Sequence, residues 1–264
     1  MLDIVVCGDC VEVMKKIPDN YIDLTVTSPP YDNLRNYKGF KFDFENTARE
    51  LYRITKGGGV VVWVVGDATI KGSETGTSFR QALYFKDIGF NLHDTMIYAK
   101  NNYMPLTHNR YEQQFEYMFV FSKEKPSRFN PIMKSNTYAG DRNHGTFRHD
   151  GNVLKPLHSN KNIQDESIKP NIWWYNIGKN KTTKDCFAHN HPAIFPEQLA
   201  HDHIISWSNE GDIVLDPMCG SGTTCKMAFI NNRHYIGIDC AEEYCELSRK
   251  RIQLTTKQLE VGYV

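Results

Sequence analysis

Ile213-Val-Leu-Asp216-Pro-Met-Cys-Gly220-Ser-Gly222-Thr-Thr224 reads as a short apolar strand, a glycine turn and the start of a helix. Glycine has no Cβ, so Gly220 and Gly222 let the backbone approach a ligand closely, and the helix opening at Thr223 turns its first N–H groups toward the same point. Met218, Cys219, Ser221 and Thr223 complete that turn. Downstream, His234-Tyr-Ile-Gly-Ile-Asp239 forms a second strand that ends in an acid. The separation is close to the roughly 20 residues at which a carboxylate meets ribose hydroxyls in nucleotide-binding units, which makes Asp239 the ribose candidate. A P-loop is excluded because no Gly-Lys-Ser/Thr follows the glycines, and the third glycine of a dinucleotide fingerprint is absent. Asp216 lies at the strand end, placed either to order the glycine loop or to meet the ligand.

The second signal lies nearly two hundred residues earlier, in Thr27-Ser28-Pro29-Pro30-Tyr31 at the end of an apolar stretch. Each proline fixes φ and removes an N–H, so this backbone offers only acceptors. The amino group of cytosine or adenine is a poor nucleophile because its lone pair is drawn into the ring, and acceptors on its N–H bonds localise that pair. Ser28 Oγ and the Pro29 carbonyl suit that task. Tyr31 offers a face on which a base taken out of its duplex can stack. Asp32 and Asn33 follow, as proton acceptors or as turn residues.

Together the two motifs resemble the S-adenosylmethionine-dependent DNA amino-methyltransferases, and the resemblance covers most of the chain. In that family an (S/D/N)-P-P-Y loop coexists with a D-P-F-x-G-S-G-T-T turn, and the beta group places the catalytic loop first, a circularly permuted order that this sequence shares. Met218 and Cys219 depart mildly from the usual pattern without disturbing the glycines. The resemblance implies a Rossmann-like α/β fold, a seven-stranded mostly parallel sheet with helices on both faces, and S-adenosyl-L-methionine as cofactor. It also implies that Asp9 and Cys10, after the strand Val5-Val-Cys, hold the cofactor adenine, and that Phe195 in His191-Pro-Ala-Ile-Phe195-Pro-Glu closes over its methionine part. Serine at the first motif position is commoner among N4-cytosine enzymes, so N4 of cytosine is the expected target, with N6 of adenine as the alternative. A catalytically silent cofactor- or DNA-binding subunit and a nicotinamide-dependent reductase are the remaining alternatives. Double-stranded DNA is the expected partner; a cognate restriction endonuclease and a homodimer are others that the family allows.

Composition agrees with one enzyme domain spanning residues 1–264. At 264 residues and 40% hydrophobic the chain can bury a sizeable core, and no apolar run approaches the ~18 residues that span a membrane. With no basic, then apolar, leader at the start, a cytoplasmic protein is expected. The net charge of zero hides an asymmetry: residues 123–184 carry twelve Lys or Arg against five Asp or Glu, a net +7. This stretch, too long for a simple connection, reads as an inserted target-recognition region. Arg128, Lys134, Arg142, Arg148, Lys155 and Lys161 are its candidates for phosphates or base edges, and it ends at the aromatic run Trp173-Trp174-Tyr175. Little chain follows Leu254, so recognition is expected to rest on this insertion or on a partner.

Alternation predicts strands at 4–6, 24–27, 60–65, 95–99, 117–121, 213–215 and 235–238, and helical spacing predicts helices at 10–17, 44–54, 78–88, 197–206, 223–231 and 241–254. Methylation at cytosine C5 needs a thiolate that adds to the ring, supplied in that family by a Pro-Cys pair. None of the seven cysteines follows a proline. Direct transfer, with the amine attacking the methyl in line, is expected instead. Cys7 and Cys10 form a lone C-x-x-C with no second pair at zinc-finger spacing, and the pairs His189/His191 and His201/His203 read as surface or capping residues, so no metal is expected.

Overall fold

The computed structural model describes residues 1–30, 42–103, 109–142, 146–149, 153–156 and 162–260. The chain divides into two units, Met1–Asn130 with Asn171–Val264, and Pro131–Pro170.

The larger unit is built on strands β1 (Ile4–Cys7), β2 (Ile22–Thr27), β3 (Thr55–Val65), β4 (Asn91–Lys100), β5 (Phe115–Ser122), β6 (Ile172–Tyr175), β7 (Ile213–Asp216) and β8 (His234–Asp239). They form a single sheet in the order β1-β8-β7-β2-β3-β5-β4-β6. β5 runs antiparallel to β3 and β4; all other neighbours are parallel. This is the Rossmann-like α/β sheet expected from the sequence, with one strand more. The eighth is the Trp173-Trp174-Tyr175 run: Trp173 and Tyr175 are buried while Ile172 and Trp174 are exposed, the period of two that a sheet-edge strand requires.

Helices α1 (Cys10–Met14), α2 (Phe44–Ile54), α3 (Thr77–Asp87), α4 (Glu197–Trp207), α5 (Thr223–Ile230) and α6 (Glu242–Glu260) make the connections. Asp9 and Asp43 cap α1 and α2 by accepting from the N–H of Glu12 and Asn46. The run Val60–Val65 is apolar at every position because β3 is covered on both faces. On one side Trp63 meets Phe85, which stacks on Phe121 at 4.5 Å between centroids, and Trp63 Nε1 donates to Gln81 Oε1 so that the indole N–H is satisfied in the core. Among the described residues no helix is long and apolar enough to cross a membrane.

Among the described residues the smaller unit is made of antiparallel strand pairs. Met133–Ser135 pairs antiparallel with Glu166–Ile168, a bridge joins Arg142 to Asn162, and Thr146–His149 pairs antiparallel with Val153–Pro156. Lys134 and Arg142 are exposed on it. Of the other basic candidates, Arg128 belongs to the larger unit, where its Nε lies 3.7 Å from Asp212; the side chains of Arg148 and Lys155, and the whole of Lys161, lie outside the described residues.

Candidate active site

A cavity of about 360 Å³ opens along the carboxyl ends of the parallel strands, within the range of small-molecule pockets and where open α/β sheets bind their ligands. Its walls bring both sequence motifs together. β2 delivers Ser28, Pro29 and Pro30; the turn after β7 delivers Met218, Cys219, Gly220, Ser221 and Thr223; β8 delivers Asp239; the loop after β1 delivers Asp9 and Cys10; and the segment before α4 delivers Phe195. Two side chains join the motifs directly because β2 and β7 are neighbours. Thr27 Oγ1 donates to Asp216 Oδ1 at 2.7 Å, and Thr224 Oγ1 donates to the Val26 carbonyl at 3.0 Å. Tyr31, with Asp32 and Asn33, lies outside the described residues.

Asp216 and Gly222 stand behind the cavity wall, not on it. Asp216 is 2% exposed and also accepts from the Met218 N–H, so of the two placements the sequence allowed it takes the one that orders the loop. Burial pushes its carboxyl up to about 6, against the lowering effect of the Thr27 and Met218 hydrogen bonds. Both glycines are demanded by packing within the protein. Gly220 has φ +49° and a Cβ there would lie 2.7 Å from His191 Nε2; Gly222 has φ +76° and a Cβ would overlap Ser248. Their N–H groups are used internally, Gly220 donating to Asp239 Oδ2 at 2.9 Å and Gly222 to the Cys219 carbonyl at 2.7 Å. Asp239 Oδ1 accepts from the Ala241 N–H, so this carboxylate fixes the loops on either side of it.

His191 corrects the surface reading. It is buried, lines the cavity over Gly220, and its ring meets Tyr244 edge-on at 4.3 Å. His203 is fully buried against Trp173, 4.8 Å between ring centroids, so it too is a core residue. Sequence reading also missed Tyr98, Lys100 and Glu116, which wall the cavity from β4 and β5. Lys100 Nζ lies 2.7 Å from Glu116 Oε1 and 5.5 Å from the centre of the Tyr98 ring; burial, then Glu116, pushes the Tyr98 phenol up. The lining carboxylates Asp9, Asp43, Glu116 and Asp239 outnumber its lysine, Lys100, which favours a cationic ligand.

Burial pushes the Cys10 thiol up and that of Cys240 up to about 11, and the hydrogen bond with Cys225, then burial, push up Cys219. None of these lining thiols is poised as the thiolate that ring addition needs.

The segment that carries His191 and Phe195 is anchored by a buried ion cluster. Arg251, fully buried, donates to Asp185 Oδ2 at 2.7 Å and to Glu197 Oε1 at 2.5 Å, and Lys226 Nζ lies 2.7 Å from each of the same carboxylates. Arg251 Nη1 also holds the Ser221 carbonyl and Thr223 Oγ1, linking α6 to the glycine turn.

A mostly parallel sheet with a glycine turn, an acid closing the next strand and a cavity across the strand ends defines an enzyme built around a nucleoside-bearing cofactor. Comparison with known proteins narrows this. A family model described as DNA methylase, for N6 and N4 methyltransferases, matches residues 22–250. The orphan methyltransferase M.BamHII of Bacillus amyloliquefaciens is 57% identical over 244 residues, covering 90% of this chain and 91% of the relative. Among solved structures, the PvuII DNA methyltransferase (cytosine-N4-specific) shares 22% identity and a TM-score of 0.68, with 94% of this chain and 85% of that one covered. The M1.HpyAVI–SAM complex also shares 22% identity, with a TM-score of 0.61 and coverage of 94% and 98%. The chain belongs to the DNA methylase family of N6/N4 methyltransferases, enzymes that use S-adenosylmethionine to methylate DNA.

Proposed function

We propose that this chain methylates the N4 amino group of cytosine in double-stranded DNA, with the base flipped into the cavity against Ser28 and the cofactor lying along the glycine turn. The observation that carries this reading is the shared wall: Ser28-Pro29-Pro30 and the Met218–Ser221 turn face one cavity, locked together through Thr27 and Asp216. S-adenosylmethionine, when bound, supplies an electrophilic methyl on a sulfonium, and the acidic lining suits that cation.

Asp239, and Asp9 across the same end of the cavity, would hold the nucleoside part, with Cys10 beside them. Met218, Cys219, Gly220, Ser221 and Thr223 would line its length, and Phe195 would close over the far end. Asp216 and Gly222 act by shaping the turn. Ser28 Oγ and the Pro29 carbonyl accept the two N–H bonds of the target amine, so its lone pair points along the line of transfer and the proton lost afterwards leaves toward an acceptor. Tyr31 would stack on the base. Ser28 supports cytosine, because a neutral hydroxyl at this position is commoner among N4-cytosine enzymes of the family. The inserted region of residues 123–184, net +7 and carrying the exposed Lys134 and Arg142, is the proposed DNA-recognition element.

Incubation with S-adenosylmethionine and mixed genomic DNA, followed by nucleoside digestion and mass spectrometry, tests the reading, with the Ser28→Ala variant as control. N4-methylcytosine is the expected product. N6-methyladenine would keep the mechanism and overturn the base assignment, and no methylated nucleoside despite cofactor binding would overturn the DNA-methylation reading in favour of another substrate or a silent subunit.

A further inference from the structure

The C-x-x-C spacing of Cys7 and Cys10 pairs the wrong thiols. Cys10 Sγ faces Thr47 Oγ1 at 3.5 Å, whereas the neighbours of Cys7 come from the far end of the chain. Cys7 ends β1, Glu242 and Cys245 share a face in the first turns of α6, and their ligand atoms all lie within 4.8 Å of one another. Parallel pairing of β1 with β8, followed by the turn into α6, makes this meeting a product of the fold.

We propose that Cys7, Cys245 and Glu242 form a binding site for a thiophilic divalent cation, with zinc as the natural occupant. Two sulfurs and a carboxylate form a ligand set that zinc accepts, with water completing the tetrahedron. A tetrahedral site places its ligand atoms roughly 3.5–4 Å apart, given metal–ligand bonds of about 2.0–2.3 Å, so a contraction of about 1 Å suffices. The surroundings fit. Arg249 Nη1 lies 2.6 Å from Glu242 Oε1 while its Nε and Nη2 donate to the Val5 carbonyl, which fixes the carboxylate from behind. Cys245 Sγ lies 3.5 Å from the Asp239 carbonyl and 3.7 Å from the Val6 carbonyl, which restrict its rotation. Charge also closes: two thiolates, one carboxylate, a dication and the Arg249 guanidinium sum to zero. Cys7 and Glu242 are exposed, so the metal has an entry path, while Cys245 is buried and anchors the site.

Binding exchanges two thiol protons for one metal ion, with no change of oxidation state. It ties the end of β1 to the start of α6. Gly8 and Asp9 follow the first, and Cys240 and Ala241 precede the second, and all four line the cavity.

The test is titration of the reduced full-length protein with Co²⁺ alone, read by absorption, followed by competition with Zn²⁺. The expected result is one Co²⁺ per chain, a sulfur-to-cobalt charge-transfer band, release of two protons and displacement by Zn²⁺. Cys7→Ser and Glu242→Gln, both at exposed positions where folding is not at stake, should each weaken binding at least about tenfold, and Arg249→Gln by about 10–100-fold. Cys10→Ser should leave the metal affinity unchanged. Absence of the band, a band that survives Cys7→Ser, or one lost in Cys10→Ser overturns the assignment.

Discussion

Replacing Arg251 by methionine keeps most of the side chain's volume and deletes its charge. The ion cluster of Arg251, Lys226, Asp185 and Glu197 then holds two carboxylates against one ammonium, and Ser221, Thr223 and Thr183 each lose a donor. Removing one partner from a buried pair costs about 3–5 kcal/mol. Asp185 and Glu197 keep 17% and 20% side-chain exposure, so water compensates in part and about 3 kcal/mol is expected. For a protein of this size that lowers Tm by about 6–12 °C. Scanning calorimetry and urea unfolding at neutral pH measure both quantities. A second substitution separates charge from packing: adding Asp185→Asn to Arg251→Met restores one cation to one anion and should recover part of the loss. A cost below about 1 kcal/mol for the single variant, or a full further loss in the double, would refute the reasoning. The pH dependence follows. Burial raises the Asp185 carboxyl, but the Lys226 and Arg251 hydrogen bonds outweigh it and hold it below its ordinary 3.8. Its stabilising contribution is complete above that value and is lost as pH falls through the depressed one, and the acid limb should flatten in Arg251→Met.

Ser28→Ala should lower kcat on the order of 100-fold while leaving S-adenosylmethionine affinity within about twofold, measured by methyl-transfer rates and equilibrium binding; a parallel loss of both would place Ser28 in the cofactor wall. Gly222→Ala should cost more than the roughly 1–2 kcal/mol of a left-handed backbone, because its Cβ overlaps Ser248, and Ser248→Gly should restore the excess alone in urea unfolding. Because the fold raises the Asp216 carboxyl to about 6, wild-type stability should decline as pH rises from 3.8 through that value, and Asp216→Asn should abolish the decline in unfolding titrations at pH 4 and 7. Lys134→Gln with Arg142→Gln should shrink the salt dependence of DNA binding by about 1–2 units of slope; an unchanged slope would take these two residues out of the interface.

The elements that the sequence disclosed are those with a local signature. The two motifs, six helices and seven strands each carry their pattern within one short stretch of chain. What stayed hidden depends on partners far away in the chain. β6 has only four residues of alternation, and its partner β4 lies about 75 residues earlier, so a basic neighbourhood masked it. His191 looked like a polar residue beside a proline until the Gly220 turn, with no Cβ, folded beneath it. Tyr98 and Lys100 follow a strand's period, but which face holds a cavity is decided by the whole sheet. Arg251 falls among the charges of a long helix, and nothing near it in sequence announces Asp185. Nothing in the Cys7–Cys10 spacing announces that Cys7 meets Cys245 at the other end of the chain.

The bond between Thr27 and Asp216 spans 189 positions, and it sets a schedule for the making of this protein. On the ribosome β2 emerges early, yet its neighbour β7 is synthesised only after most of the chain, and the ribose candidate Asp239 later still. Until then the Ser28 loop has no glycine turn opposite it, and one edge of β2 is open to wrong partners. The wall opposite Ser28 therefore cannot form before β7 and its glycine turn have been synthesised, and a chain that stops short of them lacks it.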